Sequence, residues 1–255
     1  MCTVTFIPTQ TGVILTSNRD EHSSRGIALY PEIYHLNDKN LIYPKDRKAG
    51  GTWFISNEYG DIGVLLNGAF TKHIPEPPYR QSRGQVLPDI FQQDSPYEAL
   101  KMYTLSGIEP FTIVLWEKGI LREIIWDGLQ LKMRLHDKGR PHIWSSVTLY
   151  DNKMITERHG WFNTWVAKQE DITQAAILAF HNHTEMDNKE YGLLISRSNQ
   201  ISTTSITSVA VDEQKAQILH QDIIQNIKTS IRFDLLKDQQ SLPSIRDHFD
   251  ITSEN

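Results

Sequence analysis

The 255-residue chain contains one cysteine, Cys2, and that scarcity sets the first limits. An internal disulfide is excluded, as is a zinc or iron–sulfur site built from several cysteines of one chain. Apolar residues nowhere run on long enough to span a bilayer. The N-terminus has no basic segment followed by an apolar run, so no signal peptide is visible and a cytoplasmic location is the expectation. Lysine and arginine number 26 against 31 aspartates and glutamates, a formal charge of −5, and no Lys/Arg-rich block occurs. A nucleic-acid partner is therefore not expected. No fixed-period repeat, low-complexity tract or Pro/Gly/Ser linker divides the chain. Residues 1–238 read as a single domain, and the polar, aperiodic segment 239–255 as a mobile tail. What is there, 39% apolar and 22% charged residues, is the composition of a globular domain.

Strands dominate the first part. TVTFIP and VILTSN are short β-branched runs parted by the turn-prone TQTG. WFISN and DIGVLLN flank EYG as a hairpin, and Gly50-Gly51 before Trp53 suits a turn with positive φ. KHIPEPPYRQ, with three prolines between 75 and 79, is a surface loop. Ser82 is placed to cap a helix through Val86, Leu87, Ile90 and Phe91. Ser95-Pro96-Tyr97-Glu98 combines a capping serine, proline at the first helical position and glutamate three residues after the cap, with Gly107 as the stop. FTIVLW, ILREIIW and LQLKMRL form a meander, and HIWSSV is another strand. Helices are expected from about Leu149 to Lys168 and after a capping Asp171, with ITSVAV, AQILH and SIRFDL as closing strands. Hairpin connections predict mainly antiparallel sheets, hence an α+β fold with layered sheets rather than a parallel doubly wound one.

The position of Cys2 directs attention to its chemistry. Loss of Met1 would leave a residue carrying both a thiol and a free α-amine. The amine titrates at about 7.7–8.0 and can take the thiol proton at neutral pH. SNRDE, Ser17 to Glu21, ends the second strand beside the first. An arginine near a thiol favours thiolate, and an aspartate can fix the arginine and the amine. As a plain surface turn, the same residues would be solvated charges.

MCT at the start, SNRDE, GGTW at Gly50–Trp53 and Ser82-Arg83-Gly84-Gln85-Val86 together resemble the NRDE family, which includes transport and Golgi organisation protein 2. That family is similar to N-terminal nucleophile hydrolases and, distantly, to the bile-salt hydrolase and penicillin V acylase group. The resemblance implies a four-layer α-β-β-α sandwich and cleavage of a linear amide or other acyl compound. It implies Cys2 as nucleophile, Arg19 and Asp20 as organisers of thiolate and amine, and Asn67 in LLNGAF as an oxyanion donor. The second oxyanion asparagine of the amidases falls at Ser145 or Ser146, and their Arg-Asn-x-Asp is here Asn18-Arg19-Asp20-Glu21. Asn18, Glu21, Trp53, Ser145 and Ser146 are the expected ligand contacts. No cofactor is implied. The rival implication is a non-catalytic protein on the same scaffold, handling haem or acyl-CoA and lipid.

Two further features read as structural. His181 and His183 lie two apart on a helix, where side chains diverge, so a metal pair is not expected. Trp161 and Trp165, one helical turn apart, read as core.

Overall fold

The computed structural model describes residues 2–236 and 250–254. One seven-stranded sheet is formed by β1 (Cys2–Pro8), β2 (Val13–His22), β10 (His142–Ser145), β11 (Ile201–Val211), β12 (Lys215–Asp222), β13 (Ile227–Asp234) and β14 (Asp250–Glu254), in the order β10-β1-β2-β11-β12-β13-β14. The other contains β3 (Leu29–Leu36), β4 (Lys39–Lys45), β5 (Phe54–Asn57), β6 (Ile62–Asn67), β7 (Phe111–Glu117), β8 (Ile120–Trp126) and β9 (Leu131–His136), in chain order. Every named strand pair is antiparallel.

The alternation of side chains along each strand sorts the core into three layers. Val4, Phe6, Val13, Leu15, Val64, Leu66 and Val114 meet between the sheets. On the outer side of the second sheet, Ile55, Leu65, Phe111 and Ile113 pack under α1 (Val86–Phe91) and α2 (Pro96–Met102). On the outer side of the first, Ile7, Ile14 and Ile143 pack under α3 (Asn152–Val166) and α4 (Gln174–His183). The result is the four-layer α-β-β-α sandwich that the hairpin pattern and the family resemblance predict. Each large apolar side chain buried here contributes roughly 1.5–3 kcal/mol.

Local signals mostly fall where expected. Ser95 Oγ accepts from the Glu98 amide and Pro96 opens α2. The cap of α4 is Thr173, whose side chain accepts from the Ala176 amide, and not Asp171. One turn of 3-10 helix (Arg83–Gln85) follows Ser82, whose hydroxyl makes no capping bond. The β3–β4 hairpin was not anticipated. The expected mobile tail, 239–255, falls largely on 239–249 and 255, which lie outside the described residues, while Asp250–Glu254 pairs with β13.

Candidate functional site

The carbonyl of Cys2 accepts from the Ser146 amide at 3.0 Å, so the main-chain groups of Cys2 face β10. Its register partner on β2 is Arg19. Because Cys2 directs its polar groups the other way, this is a non-hydrogen-bonded pair, in which facing side chains come closest. Both side chains lie between the sheets. The thiol is fully buried. Burial raises its pKa and the Asp20 charge pushes the same way, outweighing the N-terminal charge, a Ser17 hydrogen bond and the Arg19 charge. The resting group is therefore a thiol.

Arg19 is 3% exposed and heavily partnered. It donates to Asp46 at 2.7 Å and to Thr204 Oγ1 at 3.2 Å, and lies 3.5 Å from Glu21. Its guanidinium carbon sits 4.6 Å from the centroid of the Trp53 ring. Arg25 reaches the same two carboxylates, Asp46 at 3.4 Å and Glu21 at 3.9 Å. Burial would raise the Glu21 pKa, but the N-terminal charge, Arg19, the His22 amide and Arg25 hold it below its ordinary value. Asp46 was missed in the sequence. It also accepts from the Lys48 and Ala49 amides, an Asx-type turn that KDRKAGG could have signalled.

Asn18 and Asp20 lie away from the face that carries Cys2 and Arg19. Strand alternation carries Asn18 and Asp20 to the opposite, helix-facing side of the sheet from Cys2 and Arg19. Asn18 donates to the Leu193 carbonyl at 2.7 Å, and its carbonyl side accepts from His181, so it anchors α4. The Asp20 carboxylate accepts from Tyr150 Oη at 2.6 Å and Thr203 Oγ1 at 2.7 Å. Behind it, the Arg158 guanidinium lies 3.6 Å from the Tyr150 ring centroid. Asp20 thus reaches Cys2 through its field and not through side-chain contact.

Asn67 ends β6, and among the described residues its carboxamide has no partner. Its carbonyl accepts from Ser146 Oγ at 2.7 Å. Ser146 Oγ is also within 2.9 Å of Thr148 Oγ1, and its amide is bound to Cys2. Ser146 is therefore a strut between the ends of β6 and β10, and it also lines a cavity. The Ser145 hydroxyl is buried without a partner.

Two cavities meet at Asn67. One, of about 70 Å³, is lined by Arg19, Glu21, Arg25, Asp46, Trp53 and Arg83, among others. It gathers SNRDE, GGTW and SRG into one wall. Thr52 donates to the Gly84 carbonyl at 2.9 Å. A Cβ on Gly51 would stand 2.4 Å from the Gly84 carbonyl, so only glycine permits this contact. The buried Trp53 Nε1 lacks a partner. The other cavity, of about 310 Å³, is lined by Asn67, Trp144, Ser145, Ser146 and Phe162, with His136 and His142 at its side. Cys2 lines neither cavity.

His181 Nε2 is 2.8 Å from Thr5 Oγ1, and burial lowers its pKa to about 3. It is a structural imidazole. Among the described residues no group of His, Cys, Asp and Glu is placed to hold a metal ion. No helix of the described residues is long and apolar enough to cross a membrane.

Residues 1–120 match the model of the Transport and Golgi organisation 2 family. All four motifs that carry the family resemblance lie in that stretch, and the recognition made from them is borne out there. Among solved structures, the chain is similar in fold to a Caenorhabditis elegans ortholog of N-acylethanolamine-hydrolyzing acid amidase, at TM-score 0.56 and 10% identity over 81% of this chain and 92% of that one. It is also similar to conjugated bile acid hydrolase from Clostridium perfringens, solved as a cysteine-to-alanine variant, at TM-score 0.55 and 10% identity over 100% of this chain and 97% of that one. An arginine-to-leucine variant of the same hydrolase gives TM-score 0.56 at the same identity and coverage. These likenesses show that the chain shares the four-layer α-β-β-α fold of these solved structures. No curated protein matches its sequence.

Proposed function

We propose that the chain is a hydrolase of small amide or other acyl compounds with Cys2 as N-terminal nucleophile. The observation that carries this reading is the placement of Cys2 at the start of β1, opposite Arg19 and bound through Ser146 to the end of β6, where the Asn67 carboxamide is unengaged. The solved proteins of this fold named above are an N-acylethanolamine-hydrolysing amidase and a conjugated bile acid hydrolase, which favours an acyl conjugate as substrate.

With Met1 removed, Cys2 Sγ attacks the acyl carbon while the α-amine takes the thiol proton. The carbonyl electron pair moves to oxygen, where the Asn67 N–H donates to it, a contribution of about 3 kcal/mol for such a donor. The oxyanion collapses, the bond to the leaving group breaks, and the protonated amine returns its proton to that group. Water then attacks the thioester with the amine as base, and acid and thiol are released. Arg19 stabilises the thiolate on the way, and the field of Asp20 favours the ammonium form. While Met1 is attached, the Cys2 nitrogen is an amide and no base.

The buried, protonated thiol favours a second reading, a non-catalytic protein that handles haem or acyl-CoA and lipid. Intact mass shows whether Met1 is present. Alkylation rates across pH are then compared for trimmed and Met1-retaining protein, and the trimmed form is assayed on N-acyl amino acids and acyl thioesters. The hydrolase reading expects faster alkylation at neutral pH after trimming and turnover abolished by Cys2→Ala. Equal alkylation and no turnover, with ligand binding intact in Cys2→Ala, overturn it in favour of the second reading.

A further inference from the structure

Among the described residues β10 is the last strand on its side of the sheet, and its register with β1 fixes which of its main-chain groups are free. The Ser146 amide binds the Cys2 carbonyl. In an antiparallel ladder the bonded pairs recur at every second residue, so Trp144–Val4 and His142–Phe6 are also bonded pairs. Ile143 and Ser145 then turn their N–H and C=O groups away from β1, toward the open edge. Among the described residues nothing accepts from or donates to these groups. The cavity of about 310 Å³ runs along that edge, and every residue from Pro141 to Val147 lines it.

The remaining walls describe what fits. Trp144, Ile155 and Phe162 supply apolar surface. Among the described residues no lysine or arginine lines the cavity, and the one carboxylate that does, Glu123, is paired with His136 at 3.0 Å. An anionic ligand has no counter-charge there. At one end the cavity reaches Asn67, whose free carboxamide marks the reactive end of the site. Ile143 and Ser145 present their donor–acceptor pairs roughly 7 Å apart, the repeat of an extended peptide.

We propose that the edge of β10 binds a neutral, extended amide of about capped-dipeptide size as an added strand, through the main-chain groups of Ile143 and Ser145. Side chains of the ligand lie against Trp144 and Phe162, and one of its carbonyls is delivered toward Asn67. This is strand addition on a small scale, in which main-chain hydrogen bonds hold the ligand and the flanking walls select it. The inference deepens the hydrolase reading by naming its substrate class, but it concerns binding and is tested without turnover.

The probe is N-acetyl-Ala-Ala-methylamide added to the Cys2→Ala protein and followed by amide NMR. Shifts centred on the Ile143 and Ser145 amides are expected. The probe methylated at its central amide nitrogen should bind at least tenfold more weakly. Ser145→Pro removes one of the two outward N–H groups, a donor that an edge strand can lose while staying folded, and should weaken the parent probe by a similar factor. If Ser145→Pro does not fold, the methylated probe makes the same comparison on the Cys2→Ala protein. Equal affinity for both probes, no binding, or shifts confined to other residues overturn the proposal. So does sedimentation showing that Ser145→Pro turns a dimer into a monomer, which would make this edge an interface between copies. Turnover without edge shifts would sink this inference and leave the hydrolase. Edge binding without turnover by the trimmed protein would do the reverse.

Discussion

Acid should destabilise this protein through two histidines far more than through its carboxylates. His181 and His220 are fully buried, and burial lowers each pKa to about 3, helped by Arg158 for the first and Arg19 for the second. His181 is held neutral between Thr5 and Asn18, and His220 lies 2.8 Å from Thr207 Oγ1. Each refuses in the folded state a proton that the unfolded chain accepts near pH 6.5. Stability is thus full above the unfolded pKa and is lost as pH falls toward the folded one. Between pH 7 and pH 5 each histidine removes about 2 kcal/mol, so the pair removes about 4 kcal/mol, a large share of a typical 5–15 kcal/mol. His142 is lowered too and adds to the loss. Glu21, lowered, adds its loss only below pH 5, while Glu58 and Asp61, raised by burial, act in the opposite direction there. The assay is urea denaturation at pH 7 and pH 5 for the parent and His181→Gln. The variant should start less stable by about 1–3 kcal/mol from imperfect hydrogen bonding, yet lose only about 2 kcal/mol over the same pH interval. If parent and variant lose the same amount, His181 is not held neutral and the argument fails.

Two further outcomes follow from named contacts. Asp46→Ala leaves the buried Arg19 with Glu21 as its remaining carboxylate partner, at 3.5 Å, and should cost about 3–5 kcal/mol in chemical denaturation; a cost below 1 kcal/mol would mean Arg19 is solvated. Gly51→Ala must push the GGTW loop off Gly84, so a thermal midpoint lowered by several degrees is expected, corresponding to about 1–3 kcal/mol of overpacking; an unchanged midpoint would show that the two loops are not in contact.

The layered fold was legible because its signals are local. Alternating apolar runs and short turns mark β5 to β9 wherever a hairpin closes within a few residues. The β3–β4 hairpin escaped because Pro31 and Pro44 lie inside its strands and argue against a ladder. Pro31 is accommodated where the register shifts between Leu29 and Glu32, and the turn is made by Asn37 and Asp38, both at positive φ. That Asn-Asp pair was the available signal. At the site, the facing of Cys2 and Arg19 follows from two adjacent strands. Alternation along SNRDE also separates Arg19 from Asn18 and Asp20, a consequence open to the sequence but not drawn from motif order. Asp46 and Thr204 could not be paired with Arg19 beforehand, since they arrive from a turn and a bulge that only the assembled sheets bring together.

The close approach of Gly51 to Gly84 makes two separate sequence words into one inherited unit. A side chain at Gly51 collides with the Gly84 main chain and one at Gly84 presses tightly on Thr52, so once the loops part, the surviving glycine is free to drift. GGTW and SRG should therefore be gained and lost together among relatives, and a chain that keeps only one should show changes in the lengths of both loops.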